Sequence, residues 1–110
     1  MVDRGNIVVV NRGKRIYLYT HWRGSDIVNI AKRALGRHQR WSDPAYLTRI
    51  IFCEMIDGDV KGETGYGIST ELGDNSHPIL VVDCDKQEVY FEKGDGPGGS
   101  FEKFITGWRQ

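Results

Sequence analysis

The 110-residue chain carries 39% hydrophobic and 27% charged residues, a balance that excludes a disordered chain. At about 100–150 residues per domain there is room for one core, so residues 1–110 are read as a single α+β domain. Fifteen basic residues offset fifteen acidic ones, so the net positive field of proteins that grip long nucleic acid is missing. No apolar run reaches the roughly 18 residues of a membrane span, and Asp3 and Arg4 stand where a secretory leader would be apolar. These features predict a cytoplasmic location, with neither a membrane nor a long nucleic acid as partner.

In chain order, residues 6–10 are β-branched and lead through the turn formers Asn11, Arg12, Gly13 and Lys14 into residues 16–22, the pattern of a β-hairpin. In its second strand Ile16, Leu18 and Thr20 share one face while Tyr17, Tyr19 and His21 share the other. Residues 23–26 break the strand. Ser25 is the expected N-cap of a helix whose Ile27, Ile30, Ala31, Ala34 and Leu35 recur at helical spacing. That helix stops near Gly36, and a polar link, residues 37–41, follows. Asp43 before Pro44 starts a second helix that runs to residue 56. Its Leu47, Ile50, Ile51, Phe52, Cys53, Met55 and Ile56 are too many for one exposed stripe, which predicts a place at the centre of the core.

Beyond Asp57-Gly58-Asp59 come a short strand at residues 66–70, a loop at 71–78, and a hairpin formed by 79–83, a turn at 84–87, and 88–92. Glycines and a proline make residues 94–99 a connector without regular structure. Ser100 caps a short helix at 101–105, with Trp108 beyond. The predicted fold is an antiparallel sheet of about five strands with two helices packed on one face, in the order ββααβββ plus a short C-terminal helix.

If the helices cover Ile16 and Leu18, then Tyr17, Tyr19 and His21 project from the far side, continued by Trp22 and Arg23. Flat π surfaces, an imidazole and a planar cation are what a base-stacking, phosphate-contacting pocket uses. They also suit a protein interface, or packing beneath a loop or the last helix. Arg37, His38, Arg40 and Trp41 form a second basic-aromatic cluster, which with Arg33 can contact phosphates or an acidic protein, or remain a solvated link.

Signals for catalysis are sparse. The turn at Arg23-Gly24-Ser25 enters a helix N-terminus, but Asp26 already supplies the negative charge that such a site attracts. Glu71, Asp74, Asn75 and His77 could join His21 as metal ligands or as an acid-base pair. With no His-x-x-x-His repeat, however, no metal site is expected. Thr64, Ser69, Thr70 and Ser76 are possible nucleophiles beside His21 or His77, with Asp74 as the orienting carboxylate, yet no Gly-x-Ser-x-Gly elbow accompanies them. No catalytic residues and no cofactor are assigned. Cys53 and Cys84 lie in apolar runs without Cys-x-x-Cys spacing and are expected to be buried thiols.

The run Arg4-Gly5-Asn6-Ile7-Val8-Val9-Val10, then Gly13-Lys14, then Leu18-Tyr19-Thr20-His21-Trp22 with Gly24, resembles a set of small uncharacterised proteins of bacteriophages, bacteria and some fungi. These open with an Arg-Gly strand, a Gly-Lys turn and a Tyr-x-His-Trp-Asp-Gly-Tyr-Pro segment. The likeness covers about the first quarter of the chain. Arg23 stands here in place of the aspartate, and Ser25-Asp26 in place of Tyr-Pro. The resemblance implies a mobile-element context, in which short proteins often bind and block a host component.

The expectation is therefore a non-enzymatic phage or mobile-element accessory protein acting in the host cytoplasm, in the form of a homo-oligomer. It would inhibit a prokaryotic defence system by binding a host defence protein or sequestering a small nucleotide ligand. A small hydrolase using His21, Asp74 and His77 on a nucleotide or peptide, and a virion structural or assembly protein, are the alternatives.

Overall fold

The computed structural model describes residues 2–94 and 96–107. The opening hairpin pairs β1 (Gly5–Asn11) with β2 (Lys14–Thr20), antiparallel from Gly5↔Thr20 to Asn11↔Lys14. Its two-residue turn holds Arg12 and Gly13 at φ of 54° and 77°, the doubly left-handed geometry that matches strand twist. The non-glycine member is held there by its amide, which donates to both carboxylate oxygens of Asp85 at 3.0 and 2.9 Å.

The chain leaves β2 through one 3-10 turn, Gly24–Asp26, and enters α1 (Ile27–Leu35). Ser25 is not its N-cap: Asp26 holds that position without a side-chain cap bond, while the Ser25 hydroxyl and amide both donate to Asp3 Oδ2, at 2.6 and 3.0 Å. The physical cause is the close seat of the turn on the start of β1. A Cβ on Gly24 would lie 2.6 Å from the Arg4 carbonyl oxygen, so only glycine permits this approach.

As expected, Asp43 caps α2 (Pro44–Met55), its carboxylate accepting from the Tyr46 amide, with Pro44 in the first turn. The helix is not the centre of the core, however. Leu47, Ile50, Ile51 and Met55 form one buried stripe, Phe52 is half-buried and Cys53 is exposed. The central helix is α1, which packs against both α2 and α3 (Phe101–Thr106).

The later strands are β3 (Tyr66–Ser69), β4 (Leu80–Asp83), β5 (Glu88–Phe91) and β6 (Gly99–Ser100), in the sheet order β3-β2-β1-β4-β5-β6. The α+β class holds, but this is a mixed sheet of six strands, where an antiparallel sheet of about five was expected. After the helices the chain adds β3 outside β2 and then crosses to the far side of β1. There β4 runs parallel to β1 from Ile7↔Leu80 to Val10↔Asp83. The sixth strand comes from the end of the glycine-rich connector, where Gly99 and Ser100 pair with Val89 and Glu88. Ser100 also caps α3, accepting from the Lys103 amide at 3.1 Å. Asp95 of the connector, and Trp108, lie outside the described residues.

The helices share one face of the sheet. Ile7, Val9, Leu18, Leu80, Val82 and Val89 join the helical residues, including Phe101 and Phe104, in a single core cluster. Among the described residues no helix is long and apolar enough to cross a membrane. The expectation of two buried thiols is also corrected. Cys53 sits on the outward side of α2 and is exposed, whereas Cys84 is half-buried. Burial, with the charges of Asp83 and Asp85, pushes the Cys84 thiol up to about 11, so it stays protonated and unreactive near neutral pH.

Candidate functional site

Strand alternation leaves Asn6 and Val8 of β1, Arg15, Tyr17 and Tyr19 of β2, Val81 and Asp83 of β4, and Tyr90 of β5 on the face away from the helices. This face is not bare. Val8 is 0% and Val81 1% exposed. The Arg15 guanidinium donates to the Tyr17 hydroxyl at 3.0 Å and pairs with Glu92, just past β5. Since β1 and β4 lie between β2 and β5, Arg15 must stretch across the face to make that pair. At the next position the Tyr90 hydroxyl donates to Asp83 Oδ2 at 3.0 Å, and the other Asp83 oxygen accepts the amides of Asp85 and Lys86. Burial, and then the bond to the Asp83 carboxylate, raise the Tyr90 pKa above its ordinary value.

The other half of the face is covered by the loop between β3 and β4. Asn6 is fully buried, and its amide nitrogen donates to the Asp74 carbonyl and to Asn75 Oδ1, both at 3.1 Å. Ser76 N donates to the Arg4 carbonyl, and Gly73 lies against the Tyr19 ring. His77 Nε2 is 2.5 Å from Asp3 Oδ1. Hydrogen bonds from the Ser25 hydroxyl and amide, then from His77, hold the Asp3 carboxyl at about 2. Asp3 thereby ties the start of the chain, the 3-10 turn and the loop together.

Where this loop passes the end of β5 it forms a groove of about 550 Å³. Leu72, Pro78, Ile79 and Phe91 give it apolar walls, and Asn75, Ser76, His77, Glu92 and Lys93 give it polar ones. Two of the polar groups are fixed from behind, His77 by Asp3 and Glu92 by Arg15. Lys93 has no ion pair among the described residues. The opening thus combines apolar surface, a braced imidazole and a cation.

The residues singled out in the sequence do not form one site. Tyr19, His21 and Trp22 form one chain: the Tyr19 hydroxyl is 2.9 Å from His21 Nδ1, and the His21 and Trp22 rings meet edge to face at 4.4 Å. Trp22 is 44% exposed. Tyr17 belongs instead with Arg15.

Arg23 turns to the helix layer. It donates to the Glu54 and Met55 carbonyls at 3.3 and 2.9 Å and to Asp26 at 2.8 Å, closing the C-terminal end of α2. Burial opposes ionisation of Asp26, but the bonds from Arg23 and Asn29 and the charges of Arg23 and Arg33 outweigh it and lower its pKa.

The second cluster is dispersed. Arg37 pairs with Glu54 together with Arg33, and the indole of Trp41 donates to the Leu35 carbonyl while it stacks on His38 and meets Phe101 edge-on. His38 lies 3.6 Å from Glu102, and Arg40 sits over the Tyr46 ring at 4.4 Å. These four residues brace the link between α1 and α2 and do not line the groove.

The pairings considered for catalysis are rearranged as well. His21 meets Tyr19, and Asp74 faces Arg4 at 3.9 Å, so His77 takes its carboxylate from Asp3. Among the described residues no group of three or more His, Cys, Asp or Glu side chains could hold a metal ion. No protein-family model, curated protein or solved structure matches the chain.

Proposed function

We propose that the protein is a non-enzymatic accessory protein of a phage or other mobile element, and that it sequesters a small nucleotide-like ligand in the groove beneath the β3–β4 loop. The observation that carries this reading is the braced mixed lining of a 550 Å³ groove, within the range of about 300–1,000 Å³ common for small-ligand sites. Leu72 and Pro78 offer apolar surface to a planar group, and Lys93 offers a cation to an anionic one. Because Glu92 is paired with Arg15, its charge does not dominate the opening. In a prokaryotic host such binding would remove a nucleotide signal on which a defence system depends.

Heat release followed by mass spectrometry, and calorimetry with linear and cyclic nucleotides, test this. Recovery of intact nucleotide, with affinity lost in Lys93→Glu, supports it. If no nucleotide binds while a host protein binds through Trp22 and Leu72, the sequestration reading gives way to an effector-binding one.

One observation favours a second reading. An imidazole oriented by a carboxylate is the arrangement of a general base, and His77 lines the groove with Asp3 behind it. Turnover of a nucleotide beyond one equivalent, lost in His77→Gln, would establish a hydrolase instead.

A further inference from the structure

The edge strand β3 carries a pattern that fits a second copy of itself. His21 N donates to the Gly65 carbonyl at 2.7 Å, which makes His21 and Gly65 a hydrogen-bonded pair. Antiparallel ladders alternate, so with the register Tyr17↔Ser69 to Thr20↔Tyr66 the bonded pairs continue at Tyr19–Gly67 and Tyr17–Ser69. The amides and carbonyls of Tyr66 and Ile68 therefore point away from β2, along the free edge of the sheet.

Edge strands are commonly blunted by lysine, proline, a bulge or an inward charge. Within β3, Tyr66-Gly67-Ile68-Ser69, there is no charge and no proline, and Ile68 is 60% exposed. The opposite edge differs: β6 is two residues long and runs straight into α3.

We infer that β3 pairs antiparallel with β3 of a second copy across a two-fold axis at Gly67, joining two six-stranded sheets into one. An isologous contact needs a self-complementary edge, and the register supplies it. With Gly67 opposite its own copy, Tyr66 of each chain faces Ile68 of the other, and each such pair exchanges two backbone hydrogen bonds. The same pairing sets the exposed Ile68 side chain beside the half-buried Tyr66 ring of the other copy, an aromatic and β-branched pair of the kind that stabilises sheets. Gly67 at the axis leaves room, since a Cβ there meets nothing within 4 Å. So short an edge buries less than the roughly 1,200 Å² of a stable interface. The dimer is therefore in equilibrium with monomer.

The test is sedimentation of the full chain from about 1 µM to 1 mM, the span that a weak association covers. Monomer–dimer behaviour is expected, and Ile68→Lys should leave only monomer, with an unchanged circular dichroism spectrum showing that the fold survives. A second variant keeps the idea testable if the lysine unfolds the protein. Gly67→Cys in a Cys53→Ser background places two thiols in a non-hydrogen-bonded pair, where the Cβ atoms come close enough for a disulfide. Covalent dimer on mild oxidation supports the proposal. Monomer at every concentration overturns it, and so does a dimer that persists in Ile68→Lys or fails to cross-link at position 67.

Discussion

The Arg23 guanidinium donates to the main-chain carbonyl of Met55 at 2.9 Å, so a residue that follows the aromatic strand in sequence serves the end of a helix in space. Its neighbour Trp22 is instead 44% exposed and makes no hydrogen bond to the helices among the described residues. The pair should respond differently to truncation. Arg23→Ala strips two carbonyls of α2 of their donor and Asp26 of one of its two cations, leaving Arg33. It is expected to cost about 1–3 kcal/mol, read as a lower urea midpoint. Trp22→Ala should leave the midpoint within about 0.5 kcal/mol, the usual range for surface changes. Equal losses would mean that Trp22 is part of the packing.

Local patterns in the sequence are enough to locate the first hairpin, its two chemically distinct faces, the Asp43 and Ser100 caps, and the amphipathic α1. Each depends on residues within a few positions of one another. The parallel seat of β4 beside β1 does not. It arises because β4, buried at all four positions, must enter the centre of the sheet, which short-range periodicity does not reveal. The site is hidden for the same reason. Asn6 finds its loop partners 68 and 69 residues away, Asp3 meets His77 across 74, and Arg15 meets Glu92 across 77. The residues conspicuous in the sequence were aromatic and cationic; those that build the groove are mostly ordinary loop residues.

Asp3 links stability to acid. Its carboxyl ionises at about 2 in the folded chain against an ordinary value of 3.8. The unfolded state therefore takes up its proton first as the pH falls. The stabilisation from this group is complete above 3.8 and is lost as the pH falls through about 2. Urea midpoints of the parent and Asp3→Asn should differ most near neutral pH and converge toward pH 2. A gap that stays constant through that window would show that the carboxylate charge is not responsible.

The two cysteines should separate cleanly toward a thiol reagent. Cys53 is exposed on α2, while the Cys84 thiol is half-buried and raised to about 11. At neutral pH one equivalent of a maleimide or disulfide reagent is expected to react quickly, and Cys53→Ser should abolish that fast phase. The second equivalent should appear only on unfolding or at strongly alkaline pH. Two fast equivalents in the native protein would mean that the β4–β5 turn opens readily.

Gly65 tests how Trp22 is held at the edge of the second face. Its φ of 103° lies in the left-handed region, and a Cβ there would fall 2.3 Å from the Trp22 indole nitrogen. Gly65→Ala therefore meets two penalties, backbone strain and a collision, of which the strain alone costs about 1–3 kcal/mol. The collision can be relieved by rotating the half-exposed indole outward, whereas the strain cannot. The double variant Gly65→Ala, Trp22→Ala separates the two. It should recover only the part due to the collision, leaving a residual loss relative to Trp22→Ala alone. Full recovery would assign the whole cost to the indole and show that residue 65 adopts its conformation without strain.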